Sequence, residues 1–394
     1  MMKRFLSLAL VMVLALSAAL PALAADPVKL KVWGSQDDQE MLKEMVAAYN
    51  EANKDNPVEV EFGVVGEPDA RQRYLEDPEA AADIFAFPND QILDLVKAGA
   101  LLEITHNREA IEAANVPGSV EAATVGEFLY AYPMTADNGY FLFYDKSVIN
   151  DEQVQTLDGM LAAADAAGKK VLMDVSDGWY IASFFLGAGG TLGIQDGVQT
   201  CDFNNERGVQ VGEAIKAFTA HNAFMTGDNA IITGGMGDTI AAAVTGAWNA
   251  IAIQEKLGEN YAATKLPTFT LGDEQVQMGS FGGYKLMGVN ALTQYPEAAM
   301  ALGEWLTNEA NQLKRFEVRQ LGPSNIKVGE SDAVKANVAL SALAAQSQYA
   351  TSQKEVLGNY WLHAEAFGAT MEAKDYSKDI KTLLDEMVAG ITAP

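Results

Sequence analysis

Cysteine and histidine are nearly missing from this chain: one cysteine, Cys201, and three histidines, His106, His221 and His363, occur among 394 residues. A lone cysteine cannot form an intrachain disulfide, so the fold has to be held by its core even in an oxidising compartment. Cys201 is expected to act as a small buried hydrophobe. The histidines are scattered, and neither H-E-x-x-H nor C-x-x-C occurs, so no metal centre and no histidine-based catalysis are expected. G-x-S-x-G and G-x-x-x-x-G-K-[ST] are also missing. The clusters Gly187-Ala188-Gly189-Gly190 and Gly234-Gly235-Met236-Gly237 do not satisfy G-x-G-x-x-G and read as turns, so no cofactor is expected. Positive charge is short as well, with 27 Lys and Arg against 53 Asp and Glu and a formal charge of −26. An acidic surface of that size repels phosphate backbones and anionic lipid heads, which excludes nucleic acid as a partner.

What is present starts at the amino terminus. Lys3 and Arg4 precede an apolar run from Phe5 to Leu20, and Pro21-Ala22-Leu23-Ala24-Ala25 closes it with a small-residue A-x-A site. This pattern predicts a secretory signal peptide over residues 1–25, with the mature chain starting near Ala25 or Asp26. Loss of Lys3 and Arg4 would take the charge from −26 to −28. No later stretch reaches 18 apolar residues, and no cysteine follows the leader to carry a lipid anchor. The expectation is an exported protein, periplasmic or extracellular, diffusing freely. With 49% apolar and 20% charged residues, the chain has the composition of an ordered globular protein long enough for two domains.

Val28, Leu30 and Val32 alternate with Lys29 and Lys31 as a first strand ending at Trp33. Met41, Leu42, Met45, Val46 and Tyr49 then share one helical face, and Pro57 forbids continuation. Val58, Val60 and Phe62 alternate again, and Ile84 to Phe87 make a short apolar strand before the Gln91–Lys97 helix. The order βαβαβα favours a parallel sheet covered by helices. Ligands bind such sheets beyond the strands' carboxyl ends, here residues 33–38 and 87–91. A second region, about 138–285, has its own strands, helices and glycine-rich turns. A strand over Met287–Ala291 and one amphipathic helix from Pro296 to Arg319 return to the first region, and the last 50 residues read as helices.

The aromatics carry the functional signal. Trp33, Phe87, Trp179, Tyr180, Trp248 and Trp361 lie at strand ends or beside Gly, Asp and Asn rather than within long apolar stripes. Rings there suit a sugar, which offers C–H faces for stacking and hydroxyl edges to carboxylates and amides. The competing reading makes each ring a lobe-edge core residue. Among 53 carboxylates some pair always falls at glycosidase spacing, so no catalytic residue can be singled out.

The runs Lys29-Leu30-Lys31-Val32-Trp33 and Asp83-Ile84-Phe85-Ala86-Phe87-Pro88-Asn89-Asp90, followed by Ala98-Gly99-Ala100-Leu101-Leu102-Glu103-Ile104, resemble the first lobe of ABC-transporter solute-binding proteins of the maltose-binding type. Tyr132-Pro133-Met134 through Tyr144-Asp145-Lys146, Thr245-Gly246-Ala247-Trp248, Leu266-Pro267-Thr268-Phe269 and the helix Ala298 to Phe316 follow in that family's order. The resemblance implies an α/β, two-lobed type II periplasmic-binding-protein fold, each lobe a mainly parallel sheet flanked by helices, with a ligand cleft between lobes. It places the N-terminal lobe at 26–136 plus 286–329 and the C-terminal lobe at 137–285 plus 330–394. It implies a non-enzymatic, monomeric receptor that closes on a small-molecule carbohydrate and delivers it to membrane permease subunits.

Matched residue by residue, Trp33 and Asp37 resemble first-strand cleft residues, Phe87 a stacking ring and Asp90 a hydroxyl-binding carboxylate. Asp137 and Asn138 resemble the acidic crossover position, and Trp179 or Tyr180, Trp248 and Trp361 the stacking rings of the second lobe. Asp38 and Gln91 stand where the family has basic residues, which is expected to leave the first-lobe wall more acidic. A neutral oligosaccharide is the leading ligand. The alternatives are a polyamine held by Asp37, Asp38, Asp90 and Asp137, with a metal complex poorly served by so few histidines, and a secreted carbohydrate-active enzyme.

Overall fold

The computed structural model describes residues 26–393, so the signal-peptide expectation for residues 1–25 lies outside the described residues. The first half runs β1 (Val28–Gly34), α1 (Gln39–Ala52), β2 (Val58–Val64), α2 (Ala70–Glu76), β3 (Ile84–Pro88), α3 (Ile92–Lys97) and α4 (Pro117–Ala123). It continues through β4 (Ala131–Gly139), β5 (Phe141–Asp145), β6 (Lys170–Leu172), α5 (Gly178–Gly187), β7 (Phe224–Met225), β8 (Ile240–Thr245), α6 (Ala250–Leu257) and β9 (Tyr261–Thr264). The return comprises β10 (Ser280–Val289), α7 (Pro296–Thr307), α8 (Glu309–Arg319), β11 (Ala350–Ser352), α9 (Gly358–Glu372) and α10 (Ile380–Ile391).

These elements form two mixed sheets flanked by helices. One has the order β11-β10-β3-β1-β2, with β4 also pairing β10, and the other β7-β6-β8-β5-β9. Strands β1, β2 and β3 are parallel, as the βαβαβα pattern requires, while β10 runs antiparallel to β3 and to β4. In the second sheet β8 is parallel to β6 and antiparallel to β5.

Two elements differ from the sequence expectation. The helix expected from Pro296 to Arg319 is two helices. Asn308 has extended backbone and its side chain accepts a hydrogen bond from the Asn311 N–H, which caps a new helix start. The strand expected at Met287–Ala291 begins seven residues earlier, at Ser280. Gly282, Gly283 and Lys285 interrupt the apolar pattern there, but pairing with β4 and β11 holds the strand.

Each sheet has its own core. Leu30, Val32, Phe85, Phe87 and Tyr132 pack with Leu286, Met287, Val289 and Leu302 in one. Tyr140, Leu142, Val171, Phe184 and Phe203 pack with Phe281, Tyr360 and Leu384 in the other. Strand β10 therefore starts in the second core and ends in the first, and the β4–β5 segment passes between them in the opposite direction. The chain crosses between cores through Thr135–Gly139 and Gly282–Lys285.

A buried ion cluster closes one end of the first sheet. Asp38, 4% exposed, accepts from Arg315 Nη1 at 2.8 Å and from Arg319 Nη1 at 2.6 Å, which ties the turn after β1 to α8. Arg315 is 2% exposed. Removing one partner of a buried pair strands the other. Arg315→Ala is expected to lower unfolding free energy by about 3 kcal/mol, read from urea denaturation. Arg319→Ala, at a less buried site, should cost less.

Candidate functional site

The first three strands end alike. Each runs into one turn of 3-10 helix and then an α-helix: Gln36–Asp38, Glu67–Asp69 and Asn89–Gln91 precede α1, α2 and α3. Strand β8 repeats the arrangement with Ala247–Asn249 before α6. The strand ends thus present Asp37, Asp38, Glu67 and Asp90 from the first lobe and Trp248 from the second. Trp179 joins them from the first turn of α5, where Asp177 caps the helix by accepting its N–H at 2.7 Å.

Two side chains from the return of the chain connect these groups. Gln353, 1% exposed, follows β11; its Oε1 accepts from Trp179 Nε1 at 3.0 Å and its Nε2 donates to Asp90 Oδ1 at 2.8 Å. Lys285 of β10 places Nζ 3.5 Å from Glu67 Oε1 and 5.5 Å from the Trp248 ring centroid. Trp179 and Trp248 lie 5.9 Å apart with their planes tilted by 33°, and Tyr140 meets Trp179 edge-on at 4.6 Å. The Trp248 Nε1–H donates to Asn229 Oδ1 at 3.1 Å. Both tryptophans spend their polar edges on the protein.

Asp137 lies at the crossing, 2% exposed. Its Oδ2 accepts from the Gly322 N–H at 2.7 Å, while its Oδ1, the Thr135 hydroxyl and Arg315 Nε are buried with no protein partner. Burial raises the Asp137 carboxyl above the usual range against the pull of Lys285 and Arg315. Asp90, 9% exposed, is pushed up to about 7 by burial, with Arg71 opposing.

Of the residues singled out in the sequence, the structure links Asp90, Trp179 and Trp248 and sets Asp137 near Lys285. It places the others differently. Phe87 is fully buried in the first core against Phe85 and turns no face outward. Tyr180, 8% exposed, packs on Tyr140 within the second core. Trp33 is half-buried, its ring across Gly63 and 5.9 Å from Phe85. Trp361 is half-buried at the start of α9, edge-on to Phe281 and Tyr360. Asp37 is exposed and holds Arg319 at 3.2 Å. Asn138 lines a cavity of about 660 Å³ beside the crossing strands, shared with Asp137, Tyr284, Leu343 and Lys354, whose wall includes neither tryptophan nor Lys285.

The expectation of a more acidic first-lobe wall is corrected. Arg315 and Arg319 neutralise Asp38 and Asp37, Lys285 faces Glu67, and Arg71 Nη1 donates to Asp94 at 2.6 Å. Sequence reasoning missed Glu67, Lys285, Arg315, Arg319 and Gln353. The one available signal was a charge inside an apolar run, Lys285 before Leu286-Met287. Cys201 is partly exposed, packed against the second core, its thiol pushed up to about 12 by burial. Among the described residues no group of His, Cys, Asp and Glu could hold a metal ion, and no helix is long and apolar enough to cross a membrane.

The family model of bacterial extracellular solute-binding proteins matches residues 44–342. A galactooligosaccharide-binding protein of Bacillus subtilis (strain 168) is 27% identical over 384 residues, spanning 91% of this chain and 87% of that protein. A structure solved with acarbose has a TM-score of 0.84 at 26% identity, covering 93% of this chain and 99% of its own. The ligand-free maltodextrin-binding protein of L. casei BL23 has a TM-score of 0.78 at 24% identity, over 94% and 100% of the two chains. At that identity the likeness speaks for the two-lobed fold.

The Asp90 geometry sets a pH dependence. Its folded-state pKa of about 7 lies above the ordinary 3.8, so the folded protein holds a proton that the unfolded chain has released. Stability therefore falls as pH rises from about 4 to about 7, by at most about 1.4 kcal/mol per pH unit from this group. Asp90→Asn keeps an acceptor for Gln353 and removes that slope. The variant is expected to melt higher than the unmutated protein at pH 8 and to lose this advantage at pH 4. Asp177, pushed up to about 6, titrates in both proteins, so the difference isolates Asp90.

Proposed function

The chain belongs to the bacterial extracellular solute-binding proteins, and we propose that it is the exported substrate-binding receptor of an ABC importer, capturing a neutral oligosaccharide between its lobes. The observation that carries this reading is the pairing of half-buried tryptophan faces from the second lobe with carboxylates from the first, across Gln353 and Lys285. A pyranose ring stacks on Trp179 or Trp248 through its C–H face, and its hydroxyls donate to Asp90 and Asp137. The relative that binds galactooligosaccharide supports the ligand class.

In this reading the lobes are residues 26–136 with 286–329 and 137–285 with 330–394, and the crossings at Thr135–Gly139 and Gly282–Lys285 are the hinge. Contacts made by both lobes exist only when the cleft is closed, so the ligand shifts the open–closed equilibrium by that differential affinity. The closed form then presents both lobes to the permease as a monomer. The carboxylates bind hydroxyls and perform no catalysis. A polyamine is not favoured, because Asp37 and Asp38 are committed to Arg319 and Arg315.

Thermal-shift and calorimetric titration with galactotriose and maltotriose test the reading. A trisaccharide at a hundred times its Kd should stabilise the protein by about 2.7 kcal/mol. Trp248→Ala should weaken binding more than tenfold with the fold intact. No shift with either trisaccharide would remove the sugar assignment, and unchanged affinity would remove Trp248 from the site.

A further inference from the structure

Lys285 is a buried ammonium on the strand that crosses between the two cores. The residue is 9% exposed, and its Nζ lies 5.5 Å from the Trp248 ring centroid and 3.5 Å from Glu67 Oε1; its strand partner across β4–β10 is Thr135, two residues before Asp137. An aromatic face with acidic groups around it is the chemistry by which proteins recognise ammonium groups. Here the walls come from three places: Trp248 from the second lobe, Glu67 from the first, and Asp137 from the crossing strand β4. Glu67 is 7% and Asp137 2% exposed, so neither carboxylate can rely on bulk water for its counter-charge. The 3.5 Å separation from Glu67 is longer than the roughly 2.7–2.9 Å of a tight charge-assisted hydrogen bond. The ammonium is enclosed without being clamped by one partner.

We propose that Lys285 is a resident ammonium filling a cage that would otherwise admit a primary alkylammonium ligand, and that it reserves the cleft for uncharged ligands. The inference rests on reading this cleft as the ligand site. On this proposal a cleft with carboxylates and tryptophans excludes polyamines and amino sugars, because the cation such ligands would bring is already supplied by the chain. A second ammonium would meet like charge and find its carboxylate partners shared. A neutral sugar brings no cation to compete for those carboxylates and can accept from the Lys285 donors through its hydroxyl oxygens.

Truncating Lys285 to alanine removes the equivalent of one propylammonium ion, so that ion is the probe. Propylammonium should raise the thermal midpoint of Lys285→Ala saturably, while propanol should not. The unmutated protein and Lys285→Met, whose side chain refills the space without charge, should not respond. Putrescine should bind Lys285→Ala at least tenfold more tightly than the unmutated protein. Should Lys285→Ala fold only when propylammonium is present, the cage is supported directly. Should it fold under neither condition, E67Q/K285A, with one less uncompensated carboxylate, takes its place in the same titrations. A folded variant that responds to propylammonium no more than the unmutated protein overturns the proposal, as does putrescine displacing trisaccharide from the unmutated protein. Trisaccharide binding without amine rescue sinks the cage alone, and amine rescue without trisaccharide binding sinks the sugar assignment alone.

Discussion

The antiparallel pairing of β4 with β10 is the constraint from which the rest follows. Both strands lie between two cores, so the residues where they cross are buried by both lobes and their side chains must be accommodated there. Alternation along β10 sends Tyr284 toward Gly118 of α4 and Lys285 toward Trp248. Gly283 has no side chain for a reason visible in its surroundings. A Cβ there would meet the Asn89 side-chain oxygen and lie 2.9 Å from Gln353 Cδ. The missing methyl lets Gln353 lie against the crossing and join Asp90 to Trp179. In the proposed reading the hinge and the site are therefore one construction, and a change that thickens β10 at residue 283 acts on the ligand groups as well as on the strand pairing.

Charge follows the same logic. The chain carries a formal −26, yet two buried acids of the first lobe, Asp38 and Glu67, are answered by cations of the chain. Arg315 and Arg319 serve Asp38, and Lys285 faces Glu67. Each cation arrives from residue 285 or later to meet an acid from residues 37–67. These pairs tie the start of the first lobe to its end. Their distances differ in a way that matters: 2.6–2.8 Å around Asp38 and 3.5 Å at Glu67. The short contacts hold a wall together; the longer one leaves donors free at the cleft.

The strand and helix order was readable because periodicity is local. Met41, Leu42, Met45, Val46 and Tyr49 sit on one face of α1, and all five are buried as their spacing requires. The helix break at Asn308 was obscured by apolar spacing that continues on both sides, although an asparagine followed by an acid in the first turn, here Glu309, is a helix-start signal. The site was half legible. Aromatics at strand ends or beside Gly, Asp and Asn included Trp179 and Trp248, but the same rule also selected Phe87, because exposure depends on which sheet face a residue occupies, and that is fixed by pairing with β1 and β10. Gln353 and Lys285 had no local signal that tied them to acids more than 200 residues away. Their partners were set by topology.

The spent indole N–H groups bear on what a ligand has to supply. Trp179 and Trp248 donate to Gln353 and Asn229, so their rings offer apolar area and no hydrogen bonds. Covering about 100 Å² of such a face contributes about 2.5 kcal/mol. A micromolar Kd requires about 8 kcal/mol, before the cost of ordering ligand and lobes. Stacking alone therefore cannot make a tight receptor, and in the proposed site the remainder comes from hydroxyls read by Asp90, Asp137 and the Glu67–Lys285 pair. Those groups belong to the first lobe and the crossing, whereas the rings belong to the second. A sugar unit that engages both sets at once draws on energy available only when the lobes are together, which makes affinity and closure the same event.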